Sequence, residues 1–285
     1  MVLYFFTLEK IEINIEIILI SKMSENSHLR ILFKYVLSDY LNVVDRLTIL
    51  RVNKIEEFDI ANLLGIDLRY YSDYALIQAC KGGHEDIVKY LVEEGGADVR
   101  VDNDYALRSA SENGHLSIIQ FLAENGADIH TDGDYALRIA SNSGYLHIVQ
   151  YLVEKGANIH ALDNYSLRQS SYNGYENIVR YLVENGADIS TPNSVVLSNA
   201  SENGHLSVVQ YLVEKGVNIH ANFDYALRYA SKNGHIFVVQ FLVENGANIH
   251  AMDNSALRYA GQEGHPHIFR YLIEKGADIQ ALENR

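Results

Sequence analysis

Twelve histidines run through 285 residues, beside 37 aspartates and glutamates and a single cysteine, Cys80. Side chains of these types could hold a metal ion or, together with serine, build a nucleophilic triad. Zinc chemistry needs three or four ligands that converge to about 2 Å from one ion. These histidines recur with a period instead. His84, His115, His205, His235 and His265 share one recurring position, and His130, His160, His220 and His250 share another. Equivalent side chains of stacked copies stand about 10 Å apart, too far to share an ion. His265 and His267 are close in the chain, but no cysteine or acidic partner accompanies them, and Pro266 between them suits the first turn of a helix. Ser-His-Asp sets abound only because every copy contains all three residue types. A working triad would need one copy to depart from the rest beside a cleft, and none does. There is no nucleophile elbow, phosphate-cradling glycine loop or HExxH zinc motif. The expectation is a non-enzyme with no catalytic residues, no cofactor and no metal.

Arg108, Arg138, Arg168, Arg228 and Arg258 form a further ladder, replaced by Ile77 and Ser198 in two copies. A basic stripe of this kind could meet an acidic partner. Its regularity favours a structural role, with each long side chain reaching turn carbonyls or carboxylates such as Asp128 and Asp132. Partner recognition belongs where the copies disagree. One such column is Ser109, Ile139, Gln169, Asn199, Tyr229 and Tyr259. The turns between copies also vary, as in Thr131-Asp132-Gly133, Ala221-Asn222-Phe223 and Ala251-Met252-Asp253. Tyr229, Tyr259 and Phe223 are the leading anchors because aromatic side chains supply much interface energy. Met252 completes the candidate set.

The elements that must position these residues emerge from the copy itself, DYALRSASENGHLSIIQFLAENGADIHTDG over residues 104–133. Copies begin at Asp73, Asp104, Asp134, Asn164, Ser194, Asp224 and Asn254, and the doubled Gly95-Gly96 lengthens the first by one residue. A fixed period of this size marks a stacked solenoid, in which neighbouring copies complete one another's core. Asp, Asn and Ser at the start are good helix caps. The spacing predicts an inner helix over 105–112 that buries Leu107 and Ala110, and an outer helix over 116–124 that buries Ile118, Ile119 and Leu122. Asn-Gly pairs end both helices.

The formal charge of -14 argues against a general nucleic-acid binder, which needs a basic surface. It suits a basic or mixed-charge protein partner. Residues 1–23 start apolar, but Glu9, Lys10, Glu12 and Glu16 break the run, so neither a signal peptide nor a membrane span is expected. They read as a leader or a cover for the first repeat. Residues 24–72 echo the copies weakly, as degenerate capping repeats, and residues 73–285 hold seven clear ones. The last copy keeps apolar Ile268, Phe269, Leu272 and Ile273 with no polar cap after it. Self-association through that end is a second expectation.

The strings GHLSIIQFLAENGAD at Gly114–Asp128 and GHLSVVQYLVEKGVN at Gly204–Asn218 resemble the ankyrin repeat. Two departures stand out. YALR or YSLR replaces the usual Thr-Pro-Leu-His, and the connection after GAD is about three residues short. In this respect the chain resembles the shortened ankyrin proteins of giant DNA viruses. The resemblance implies an all-α solenoid of helix-turn-helix units with shortened hairpins or turns, including at most two-residue strand bridges. It implies that the histidine after glycine fastens the helix-helix turn, and that the variable column and turns line a concave partner-binding face. It further implies a non-catalytic scaffold or adaptor inside the cell, in host cytoplasm, with nucleus and virion left open. A self-associating structural protein and an adaptor to host degradation machinery are the alternatives.

Overall fold

The structure is a computed structural model that describes residues 68–190 and 194–279. The leader, most of the degenerate capping repeats and the 191–193 turn lie outside the described residues. The chain forms two compact units, residues 1–128 and 129–285.

The first unit contains α1 (Leu68–Gly82), α2 (Glu85–Glu93), α3 (Val101–Glu112) and α4 (Leu116–Glu124). The second contains α5 (Thr131–Ser143), α6 (Leu146–Glu154), α7 (Ala161–Asn173), α8 (Glu176–Glu184), α9 (Val195–Glu202), α10 (Leu206–Glu214), α11 (Ala221–Lys232), α12 (Ile236–Glu244), α13 (Ala251–Gln262) and α14 (Pro266–Glu274). No strand occurs among the described residues. Within each unit the odd-numbered helices form an inner row and the even-numbered helices an outer row. An inner helix packs on the next inner helix of its unit and on its own outer partner. The fold is an all-α solenoid.

The predicted periodicity accounts for the packing. Ala110, Ala140, Ala200, Ala230 and Ala260 are fully buried, where a methyl group lets inner helices approach closely. Leu107, Leu137, Leu167, Leu197, Leu227 and Leu257 are buried beside them. The outer helices bury Ile118, Ile119 and Leu122 and their counterparts, such as Val208, Val209 and Leu212. A third inner column is polar. Ser111, Ser141, Ser171 and Ser231 are buried and each hydroxyl donates to the carbonyl four residues back, at 2.7–2.8 Å. That bond satisfies a hydroxyl that would otherwise be costly to bury. Cys80 holds the same column in the first unit, and burial pushes its thiol pKa up to about 12.

Of the two expected forms of the connection between copies, shortened hairpins or turns, the described residues show the turn. The chain makes a single left-handed turn there. Asp102, Asn103 and Asp104 have φ of 50°, 57° and 56°, and Asp132, Gly133 and Asp134 have 53°, 62° and 56°. The same turn recurs at 162–164, 222–224 and 252–254. Its last amide donates across the loop, for example Asn164 N to His160 O at 3.2 Å and Asp224 N to His220 O at 3.3 Å. Regular helix resumes at the residue after the turn, such as Tyr105 or Tyr225, so the inner helix begins where periodicity places it.

Candidate functional site

Three sets of side chains hold the left-handed turns, and they absorb most of the residues whose types are capable of chemistry. The third turn residue reaches forward within its own copy. Asp104 Oδ1 accepts the Asp128 amide at 2.8 Å, Asp134 Oδ1 that of Asn158 at 3.0 Å, and Asp224 Oδ1 that of Asn248 at 2.8 Å. Asn164 and Asn254 make the same bond with their amide oxygens to Asp188 and Asp278, each at 3.1 Å. This corrects the expectation that these residues cap the helix they precede. Their Oδ1 is turned to the amide 24 residues ahead instead, because the left-handed backbone aims the side chain back across the copy.

The second histidine ladder braces the same residues. His130, His160, His220 and His250 place Nδ1 at 2.9–3.1 Å from Oδ1 of Asp134, Asn164, Asp224 and Asn254. The arginine ladder then occupies the turn carbonyls. Arg138 donates to Asp132 O at 2.7 Å and Gly133 O at 3.0 Å, and Arg228 to Asn222 O at 2.9 Å and Phe223 O at 2.8 Å. Arg108, Arg168 and Arg258 reach the first turn carbonyl at 2.9, 3.1 and 3.2 Å. A left-handed turn leaves its carbonyls without helical partners, and a guanidinium fork is suited to collect them.

The first histidine ladder, expected to fasten the helix-helix turn, reaches from that turn to the preceding copy. His115 Nε2 donates to Lys81 O at 3.2 Å, His205 to Tyr172 O at 2.8 Å, His235 to Glu202 O at 3.0 Å and His265 to Lys232 O at 2.8 Å. Each ring lies against the glycine that ends the preceding inner helix. A Cβ on Gly204 would sit 2.5 Å from His235 Nδ1. Among the described residues no three His, Cys, Asp or Glu side chains are placed to hold a metal ion. No helix among them is long and apolar enough to cross a membrane.

The remaining surface is the variable column and the turn tips. Ser109 is buried, which takes it off the accessible surface, and its carbonyl accepts the Asn113 side chain at 2.8 Å. Asn199 spends its amide on Arg168 O at 3.4 Å. Ile139 and Gln169 are half-buried. The column becomes aromatic on α11 and α13. Tyr229 stacks on Tyr225 with ring centroids 3.9 Å apart and meets Tyr259 at 5.9 Å. Lys232 Nζ stands 5.5 Å from the Tyr229 ring and 5.8 Å from that of Tyr259. Tyr225 donates to Glu202 at 3.2 Å, and desolvation, followed by the nearby Glu202 carboxylate, holds its hydroxyl pKa above the ordinary tyrosine value. Phe223 and Met252 project from the adjoining turns, 68% and 52% exposed.

Sequence reasoning misses Tyr225 and Lys232 in this cluster. Tyr225 sits in a column shared with Tyr105, Tyr135 and Tyr165, so it reads as part of the frame. Its spacing of four from Tyr229 on a helix is the available signal.

The family model for ankyrin repeats, three copies, matches residues 32–132, 129–193 and 197–282. The chain belongs to the ankyrin-repeat family. The ankyrin repeat domain of human ASB11, seen in a crystal structure, superimposes with a TM-score of 0.60 at 23% identity, covering 69% of this chain and 96% of that one. That similarity is one of fold. No curated protein matches the sequence. Ankyrin repeats serve in general as protein-interaction modules, and the fold is typical of non-catalytic scaffolds.

Proposed function

We infer that the protein is a non-catalytic scaffold or adaptor, and that its partner engages the inner-helix face of α11 and α13. The observation that supports this most is the Tyr225-Tyr229-Tyr259 cluster with Lys232 beside it. The frame positions around it are committed to turns and to neighbouring copies. The variable column, by contrast, gathers half-buried aromatic rings that touch one another at a surface. Such rings offer large contact area with few torsions to freeze, which is how interface anchors act.

Affinity capture from native lysate with the full chain and with a Tyr229→Ala/Tyr259→Ala variant tests this. The expected result is a defined partner set recovered by the parent and lost by the variant. Equal recovery by both would overturn the placement, and no specific partner with either would overturn the interaction reading itself.

A further inference from the structure

Among the described residues, the turns between copies are held by the same three side chains, and the joint between α8 and α9 carries none of them. At 222–224 the His220 Nδ1 lies 3.0 Å from Asp224 Oδ1, that oxygen accepts the Asn248 amide at 2.8 Å, and Arg228 donates to two turn carbonyls. The turns at 132–134, 162–164 and 252–254 repeat the set, with histidine, aspartate or asparagine, and arginine each four residues apart. The turn at 102–104 differs in placing Arg100 where the others place histidine, 3.6 Å from Asp104. At the joint between α8 and α9 the three positions are Ser190, Ser194 and Ser198. Three separate ladders are interrupted at one place.

Serine does none of the three tasks at this reach. Its Oγ stands one bond nearer the backbone than the Oδ1 of aspartate or asparagine. Ser194 keeps the left-handed backbone, φ 47°, yet its side chain makes no cap. Among the described residues Asn218 lacks the side-chain acceptor that Asp224 gives Asn248. Ser190 donates its hydroxyl and its amide to Asp188 Oδ1, at 2.6 and 2.7 Å, so it is committed to the copy before the joint. Ser198 has no guanidinium to collect carbonyls. An aromatic rung is missing as well. Arg138 stands 5.5 Å from the Tyr165 ring of the next copy, but the residue of α9 in that column is Val195. The other end of α9 holds. His205 Nε2 donates to Tyr172 O at 2.8 Å, and Val196, Leu197 and Ala200 are buried. The helix is packed and pinned at its C-terminal end and unbraced at its N-terminal end.

We propose that the N-terminal end of α9 is a built-in opening point of the array. The start of α9 unfastens from α7 while α5–α8 and α10–α14 keep their own bonds. The stability of a solenoid is close to a sum of copy terms and neighbour couplings, so opening begins at the joint with the fewest couplings. The Tyr225-Tyr229-Tyr259 cluster lies wholly on one side of that joint, so the copies that carry it stay assembled when the joint opens. The proposal stands on the frame residues and is independent of the partner reading above.

Hydrogen exchange of the full chain, read amide by amide in mass spectrometry and corrected for intrinsic rates, tests this. The amides of residues 199–202 in α9 are expected to exchange about tenfold faster than the equivalent amides 169–172 in α7 and 229–232 in α11. A restored chain, Ser190→His/Ser194→Asp/Ser198→Arg, is expected to slow α9 to the rate of α11 and to leave α5 and α13 unchanged. A transferred chain, His220→Ser/Asp224→Ser/Arg228→Ser, is expected to move the fast exchange to α11. The parent and the restored chain decide the matter even where the transferred chain does not fold. Equal protection of α7, α9 and α11 in the parent would overturn the proposal, as would an unchanged α9 in the restored chain. Equal slowing of every helix in the restored chain would also overturn it, because the serines would then lower global stability rather than set a local opening.

Discussion

Asp224 shows how much structure one side chain can organise. Its Oδ1 receives both the Asn248 amide and His220 Nδ1 while its own backbone is left-handed. Asn164 and Asn254 do the same work without charge. Asp224→Asn should therefore stay within about 0.5 kcal/mol of the parent. Asp224→Ala should lose about 2 kcal/mol or more, because it strands a donor and places a Cβ with no local bond in a left-handed turn. Equilibrium urea denaturation of the two variants gives the comparison, and equal losses would show that the carboxylate charge matters more than the acceptor. In the core, Leu152→Ala should open a cavity costing about 2–5 kcal/mol in the same assay.

Among the elements, the packed helices are legible in the sequence and the joints between them are not. Leu107, Ala110, Ile118 and Leu122 announce their burial through spacing alone, and α4 spans the residues that this spacing marks. The shortened connection is legible as a turn from its Asp, Asn and Gly content. Its left-handedness is hidden by Leu162, Phe223 and Met252, which disfavour that conformation and so point away from it. The site divides along the same line. Tyr229 and Tyr259 stand out as variation, whereas Tyr225 is masked by its resemblance to the frame.

The helix-to-helix joints give a separable test. Gly204 (φ 79°) and Gly216 (φ 86°) are both left-handed, but only Gly204 lies against a neighbouring ring, that of His235. Gly216→Ala should cost about 1–2 kcal/mol from backbone strain. Gly204→Ala should cost more, and part of the excess should vanish in a His235→Ala background. Thermal melts of the four proteins measure the coupling, and simple additivity would remove the ring from the explanation.

At the scale of the molecule, charge and cooperativity govern stability. A chain carrying -14 repels itself when compact. Its surface ion pairs, such as Lys89–Glu85 and Arg180–Glu176, both at 2.7 Å, are exposed and contribute little. The melting temperature should therefore rise as salt screens the repulsion, and a fall would mean that attractive pairs dominate. Cys80 reports on the first unit by itself, since its thiol is buried and its pKa is raised to about 12. Alkylation followed by mass spectrometry should be slow in native buffer. It should accelerate in Leu91→Ala, which weakens the same unit.

The forward bond from the turn carboxylate or amide has a consequence for how such a chain can grow. It closes a copy into a ring, with Asp134 joined to Asn158 and Asn164 to Asp188. Where histidine follows the glycine, the coupling from one ring to the next uses that histidine and a main-chain carbonyl, and every polypeptide segment presents a carbonyl. Neither end of that coupling depends on which copy precedes it. A gene encoding such a chain can duplicate or delete one ring in frame and keep this histidine coupling at the new junction, so length is the cheapest trait for it to vary.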